Sequence, residues 1–130
     1  AAGLRRDDVV CAQLPNTINA VALFFAVART GLILSPVVMQ YREHELQHIL
    51  DLSGARAFVT ISRFAGHDHA AMAARLADGR DLTVLLLDAP LPDADPAAVA
   101  EWCARAPVDA GEVLTICWTS GTEARPKGVP

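Results

Sequence analysis

The sequence predicts an α/β fold, a largely parallel sheet flanked by helices. Three observations predict it. Short apolar runs of strand type recur at residues 9–14, 32–38, 57–61, 82–87 and 113–118. Segments with helical patterning lie between them, and Gly31, Gly54 and Gly79 stand where those helices should stop. Strands that alternate with helices at this spacing pair in parallel through right-handed crossovers.

Each element has a local reason. A charged opening, Leu4-Arg5-Arg6-Asp7-Asp8, precedes the first strand, and Arg5-Arg6 reads as a solvated turn. Pro15-Asn16 breaks that strand, and Asn16 or Thr17 caps a helix over 18–30. Val21, Leu23, Phe24, Phe25 and Val27 make this helix apolar all round, which predicts burial on most sides. The second strand is interrupted by Pro36, a residue suited to a strand end or a sheet edge. Residues 43–53 form the next helix, with Leu46, Ile49 and Leu50 on one face, and residues 70–77 a third. The Pro- and Asp-rich stretch 88–95 is an exposed crossing, and Pro96 opens a short helix to about residue 105 on which Trp102 reads as a half-buried indole. The fifth run, 113–118, reads as a buried strand.

Composition narrows the function classes. A 130-residue chain with 52% apolar residues has enough to bury a core. A net charge of -4 gives no general attraction to nucleic acid or anionic membrane. Cys11, Cys103 and Cys117 are odd in number and share no ligand spacing, so they read as thiols in a reducing, cytoplasmic compartment. No signal-peptide pattern opens the chain, and the longest apolar stretch, 18–28, is too short to span a bilayer. Without an initiator Met, and ending just past its most informative motif, the chain reads as a piece of a larger protein.

That motif is Thr119-Ser120-Gly121-Thr122-Glu123-Ala124-Arg125-Pro126-Lys127-Gly128. Small residues let backbone N–H groups approach phosphate oxygens, hydroxyls add donors, and a lysine supplies compact charge. Lys127 is the only lysine, against ten arginines. The spacing from Gly121 to Lys127 matches G-x-x-x-x-G-K, but Pro126 cannot donate an N–H and Gly128 cannot ligate magnesium, so the Walker reading fails on chemistry. The segment from Trp118 to Val129 instead resembles the phosphate-binding signature of the AMP-forming acyl-activating enzymes, an aromatic residue followed by T-S-G-T-T-G-x-P-K-G-V. Gly3-Leu4, Asp8-Val9, Leu14-Pro15-Asn16, Phe24-Phe25-Ala26, Gly31, Pro36, Arg42-Glu43 and Glu45-Leu46 resemble further landmarks of that family's N-terminal portion, in order along nearly the whole chain.

The resemblance implies that residues 1–130 are a partial N-terminal domain ending at the phosphate-binding loop, most like an acyl-CoA synthetase acting on a fatty or alicyclic acid. In that family a carboxylate attacks the α-phosphate of ATP, pyrophosphate leaves, and the acyl group passes to a thiol, usually coenzyme A. It implies that Thr119, Ser120 and Thr122 donate hydrogen bonds to the phosphates, and that Gly121 and Gly128 belong to the same cradle. Lys127, the catalytic candidate, faces the phosphates. Mg2+ would be held by a carboxylate downstream, so no metal ligand is assigned here. The partners implied are a small carboxylic acid, ATP and CoA, and the chain alone is expected to be inactive. Two positions depart from the usual pattern. Glu123 replaces a threonine, and a carboxylate about 4 Å from a phosphate would cost roughly 1–4 kcal/mol, so it should point outward or share a cation. Ala124 replaces a glycine and should adopt an ordinary negative φ.

Two other readings compete. His44-Glu45-Leu46-Gln47-His48 is a literal H-E-x-x-H, the pattern of a zinc hydrolase. No third ligand follows at metzincin spacing, and the bland reading is two solvent-facing histidines. His67-Asp68-His69 reads as a surface loop. The other alternative to a ligase is a catalytically silent α/β module that binds nucleotide.

Overall fold

The computed structural model describes residues 3–91, 93–105, 107–119 and 127–130. Its centre is a four-stranded parallel sheet, the predicted architecture. β1 (Val9–Ala12) lies between β2 (Ile33–Pro36) and β3 (Ala57–Thr60), and β6 (Thr83–Leu86) closes the order β2-β1-β3-β6. Pro36 is the last residue of an edge strand, where its missing N–H costs no ladder bond.

The crossovers begin and end where local chemistry says they should. α1 (Ile18–Thr30) starts at Thr17, whose hydroxyl accepts from the Ala20 amide, and ends at Gly31 in left-handed geometry, φ 64°. α2 (Glu43–Ser53) starts at Arg42, whose amide donates to the Glu45 carboxylate at 2.9 Å, and ends at Gly54, φ 62°. Its Leu46, Ile49 and Leu50 are buried beside Phe58 of β3, where each apolar side chain contributes about 1.5–3 kcal/mol. Met72, Ala73 and Leu76 of α3 (His69–Ala77) complete this cluster. A second cluster gathers Val10, Ala12, Val27, Leu34, Ala57 and Val59. α4 (Pro96–Arg105) follows the Asp-rich crossing, with the Asp95 carboxylate accepting from the Ala97 amide.

Four expectations need correction. α1 is not buried on most sides. Val27 is buried, but Ile18 is 78% and Phe25 62% exposed, because the sheet covers one flank and nothing described here covers the other. Arg6 is not merely solvated: it ion-pairs with Glu112 and donates to the Pro107 carbonyl, tying the segment after α4 to the chain's opening. Residues 63–68 contain an unpredicted two-stranded hairpin, β4 (Arg63–Phe64) against β5 (His67–Asp68), turned by Ala65 (φ 46°) and Gly66 (φ 80°). His67-Asp68-His69 is therefore no surface loop. Asp68 caps α3, accepting from the Ala71 amide, and His69 is fully buried. The Trp102 side chain lies outside the described residues.

Candidate active site

The phosphate-like motif is mounted on a hairpin. β7 (Cys117–Thr119) pairs antiparallel with β8 (Lys127–Val129), setting Cys117 against Val129, Trp118 against Gly128 and Thr119 against Lys127. The expected buried strand over 113–118 is thus corrected. Val113 is 47% exposed, and the backbone of the run meets the parallel sheet at β2 by a bridge from Thr115 to Leu34, because its last residues turn to pair with the strand after the loop. Ser120, Gly121, Thr122, Glu123 and Ala124 lie outside the described residues, and with them the expectations about Glu123 and Ala124.

Both ends of the loop are described. Thr119 and Lys127 face each other across the ladder, both exposed, with the Thr119 hydroxyl 3.5 Å from the Lys127 carbonyl. Among the described residues no carboxylate pairs with Lys127, so its charge is available to an anion. Gly128 lies close over its neighbours: a Cβ there would sit 3.1 Å from Ile116 Cγ2 and 3.2 Å from two ring carbons of Trp118. Gly128→Ala should therefore displace the strand that carries Lys127 and destabilise the fold by about 1–3 kcal/mol, checked by urea denaturation. A variant as stable as the parent would show that this close approach is not required.

The hairpin is stitched to β2. The Leu34 amide donates to the Leu114 carbonyl at 2.9 Å, and the Ile116 amide to the Leu34 carbonyl at 2.8 Å. The Thr115 hydroxyl donates to the same Leu34 carbonyl, and the Trp118 indole N–H donates to the Ser35 hydroxyl at 2.8 Å. Beside it opens a crevice of about 590 Å³, walled by residues 14–16 and 36–40, Phe64, Cys117 and Trp118. Phe64 of the β4–β5 hairpin also lines it, and it lies past the carboxyl ends of β1 and β2. Open α/β sheets bind ligands at such a point.

The wall of this crevice is held from beneath by a buried amide and imidazole. Gln13 Nε2 donates to the Val38 and Tyr41 carbonyls at 2.9 and 3.0 Å, which turns its Oε1 toward His69 Nδ1 at 3.0 Å. Nδ1 therefore carries the proton, and Nε2 is a buried lone pair with no partner among the described residues. Burial pushes the His69 pKa down, the neighbouring His67 and Arg42 add to the shift, and Asp68 opposes it. A histidine with a depressed folded pKa stabilises the fold fully above its unfolded value, about 6.5, and less as pH falls below it. Stability should therefore decline between pH 7.5 and 5.5, above the carboxylate range, with a shallower slope in His69→Gln. Equal slopes in denaturant titrations would remove His69 from that dependence.

The H-E-x-x-H pattern does something structural. Glu45 is spent on the helix cap, His44 is exposed and His48 half-buried, and among the described residues no three His, Cys, Asp or Glu side chains gather as a metal group. Gln13 and Ser35 were missed as supports of the site. Their signal was a buried polar residue inside an otherwise apolar strand, which implies a specific hydrogen-bond partner.

The model of the AMP-binding enzyme family matches residues 1–130. The chain belongs to the AMP-binding enzyme family. Across 132 residues, 99% of the chain, this family member is 35% identical to phosphinothricin tripeptide synthetase PhsC of Streptomyces viridochromogenes. Across 98% of the chain it is 37% identical to 2-succinylbenzoate–CoA ligase of Geobacillus kaustophilus. It spans 11% of the first relative's length and 23% of the second's. Among solved structures, ATP-bound MatB from Rhodopseudomonas palustris superposes on 98% of the chain with TM-score 0.73 and 25% identity, the match covering 25% of that protein.

Proposed function

We propose that this AMP-binding family member is the N-terminal portion of an ATP-dependent carboxylic acid–CoA ligase, with residues 1–130 ending just after the phosphate-binding loop. The observation that carries the reading is the hairpin, which sets Thr119 and Lys127 opposite each other at the two ends of the sequence 120–126. The uncovered apolar flank of α1 supports a larger domain, since exposed Ile18, Val21 and Phe25 are what further chain would bury.

In the proposed reaction a substrate carboxylate oxygen attacks the α-phosphorus of ATP. The bond from that phosphorus to the bridging oxygen breaks, and pyrophosphate leaves with the electron pair. The thiol of CoA then displaces AMP from the acyl-adenylate. Thr119, Ser120 and Thr122 donate hydrogen bonds to the β- and γ-phosphates, Gly121 and Gly128 permit close approach, and Lys127 neutralises the charge that grows on the leaving group. Magnesium would supply charge to offset that of the phosphates, and we assign it no ligand in this chain. The acid we favour is fatty or alicyclic. Activation of an amino acid is the second reading, favoured by the 35% identity to a tripeptide synthetase. The unpaired thiols Cys11, Cys103 and Cys117 suit a reducing, cytoplasmic setting, and among the described residues no helix is long and apolar enough to cross a membrane.

The test is carboxylate-dependent release of pyrophosphate and AMP from ATP by the intact enzyme across a panel of fatty, alicyclic and amino acids. Release with one of these classes supports the ligase and selects the acid. ATP binding without release for any acid would favour the silent nucleotide-binding module. The 130-residue chain alone should give no acyl-CoA.

A further inference from the structure

We propose that Ser35, a residue of the parallel sheet outside the phosphate motif, is a positioning residue for the hairpin that carries Thr119 and Lys127 and acts through the indole of Trp118. The proposal rests on the loop reading given above.

Ser35 is fully buried in β2 between Leu34 and Pro36, and its hydroxyl accepts the Trp118 indole N–H at 2.8 Å. The Cys11 thiol also meets Ser35, but burial pushes its pKa up to about 12, so it stays neutral and does not draw the hydroxyl away as a thiolate would. The opposite edge of the same indole lies under Gly128. Ring carbons Cη2 and Cζ3 stand 3.2 Å from where a Cβ on Gly128 would be. One rigid ring thus spans from the buried sheet to the strand carrying Lys127.

Among the described residues the hairpin is otherwise held by the packing of Trp118 against the buried cluster of Cys11, Val37 and Phe58. Its backbone ties to Leu34 end at Ile116, and in β7 and β8 every residue but Trp118 is exposed. Beyond Ile116, the indole–hydroxyl bond is the last side-chain hydrogen bond to the sheet before the loop begins. Without it the strand that carries Lys127 is held less firmly, and ATP must then fix that strand as it binds. A tie of this kind affects ATP more than the acid.

The test uses the intact enzyme with Ser35→Ala, Trp118→Phe and the double variant, each assayed for pyrophosphate release while ATP and acid are varied separately. Trp118→Phe removes the donor together with the ring edge under Gly128, whereas Ser35→Ala leaves the indole whole and removes only the acceptor. Each single variant is expected to raise the KM for ATP about fivefold to tenfold, the scale of one net hydrogen bond, with the KM for the acid changed less than twofold. The double variant should match Trp118→Phe, because Ser35→Ala removes nothing that Trp118→Phe leaves in place. Amide hydrogen exchange at Thr119 and at 127–129 should quicken. If Ser35→Ala fails to fold, Ser35→Cys, which keeps the size of the side chain and weakens the acceptor, decides in its place. An unchanged KM for ATP, an equal rise in both KM values, or additive effects in the double variant would each overturn the proposal. Lys127→Ala separates this from the underlying reading: if it slows release while the Ser35 and Trp118 variants do not, only the positioning role fails.

Discussion

Changing Lys127 to alanine in the intact enzyme is expected to slow carboxylate-dependent pyrophosphate release by about 100- to 1,000-fold, the loss typical of removing one preorganised charge-stabilising group. The prediction follows from where the side chain sits. Lys127 is exposed in β8, opposite Thr119, and among the described residues it has no ion-pair partner, so its removal leaves the core intact. Among the described residues its charge has no structural task to lose, and the effect should fall on chemistry. Lys127→Arg keeps the charge but changes a compact ammonium for a planar fork, and should recover part of the rate. Unchanged release in Lys127→Ala, with the fold intact by circular dichroism, would remove this lysine from the mechanism.

The largest expected effect on stability lies at Phe58. It is fully buried in β3, the strand between β1 and β6, and packs in the cluster with Leu46, Ile49, Leu50, Met72 and Leu76. Phe58→Ala should cost about 3–5 kcal/mol, from lost burial plus a cavity that helices fixed on both sides cannot close. Phe64, 39% exposed on the β4–β5 hairpin, is the control, and its alanine variant should cost about 1 kcal/mol or less. Urea titrations of both variants check the contrast. A Phe58→Ala variant no weaker than Phe64→Ala would mean that the core has been misplaced.

The framework was legible in the sequence because its signals are local. Helix α1 begins at a threonine cap and stops at Gly31, and α2 stops at Gly54, so both run over the predicted residues. What was not legible depended on partners. The apolar circumference of α1 says that burial is favourable, but not that Ile18 and Phe25 would find no cover within these residues. The β4–β5 hairpin escaped notice because its turn uses Ala65 and Gly66, with alanine at positive φ where asparagine or aspartate is the usual signal. The 113–118 run has strand composition, yet its pairing was decided by Lys127–Val129 beyond the loop. Of the candidate site, the motif itself was legible as chemistry. Its support was not, because Ser35, Gln13 and His69 act through contacts between residues far apart in the chain.

The central claim is that this hairpin holds the phosphates of ATP, and amide hydrogen exchange on the intact enzyme tests it most directly. With ATP bound, the amides of Thr119 and of residues 127–129 should exchange more slowly than in the free enzyme, and adenosine should leave them unchanged. Protection by ATP elsewhere in the protein, with none at these amides, would contradict the account.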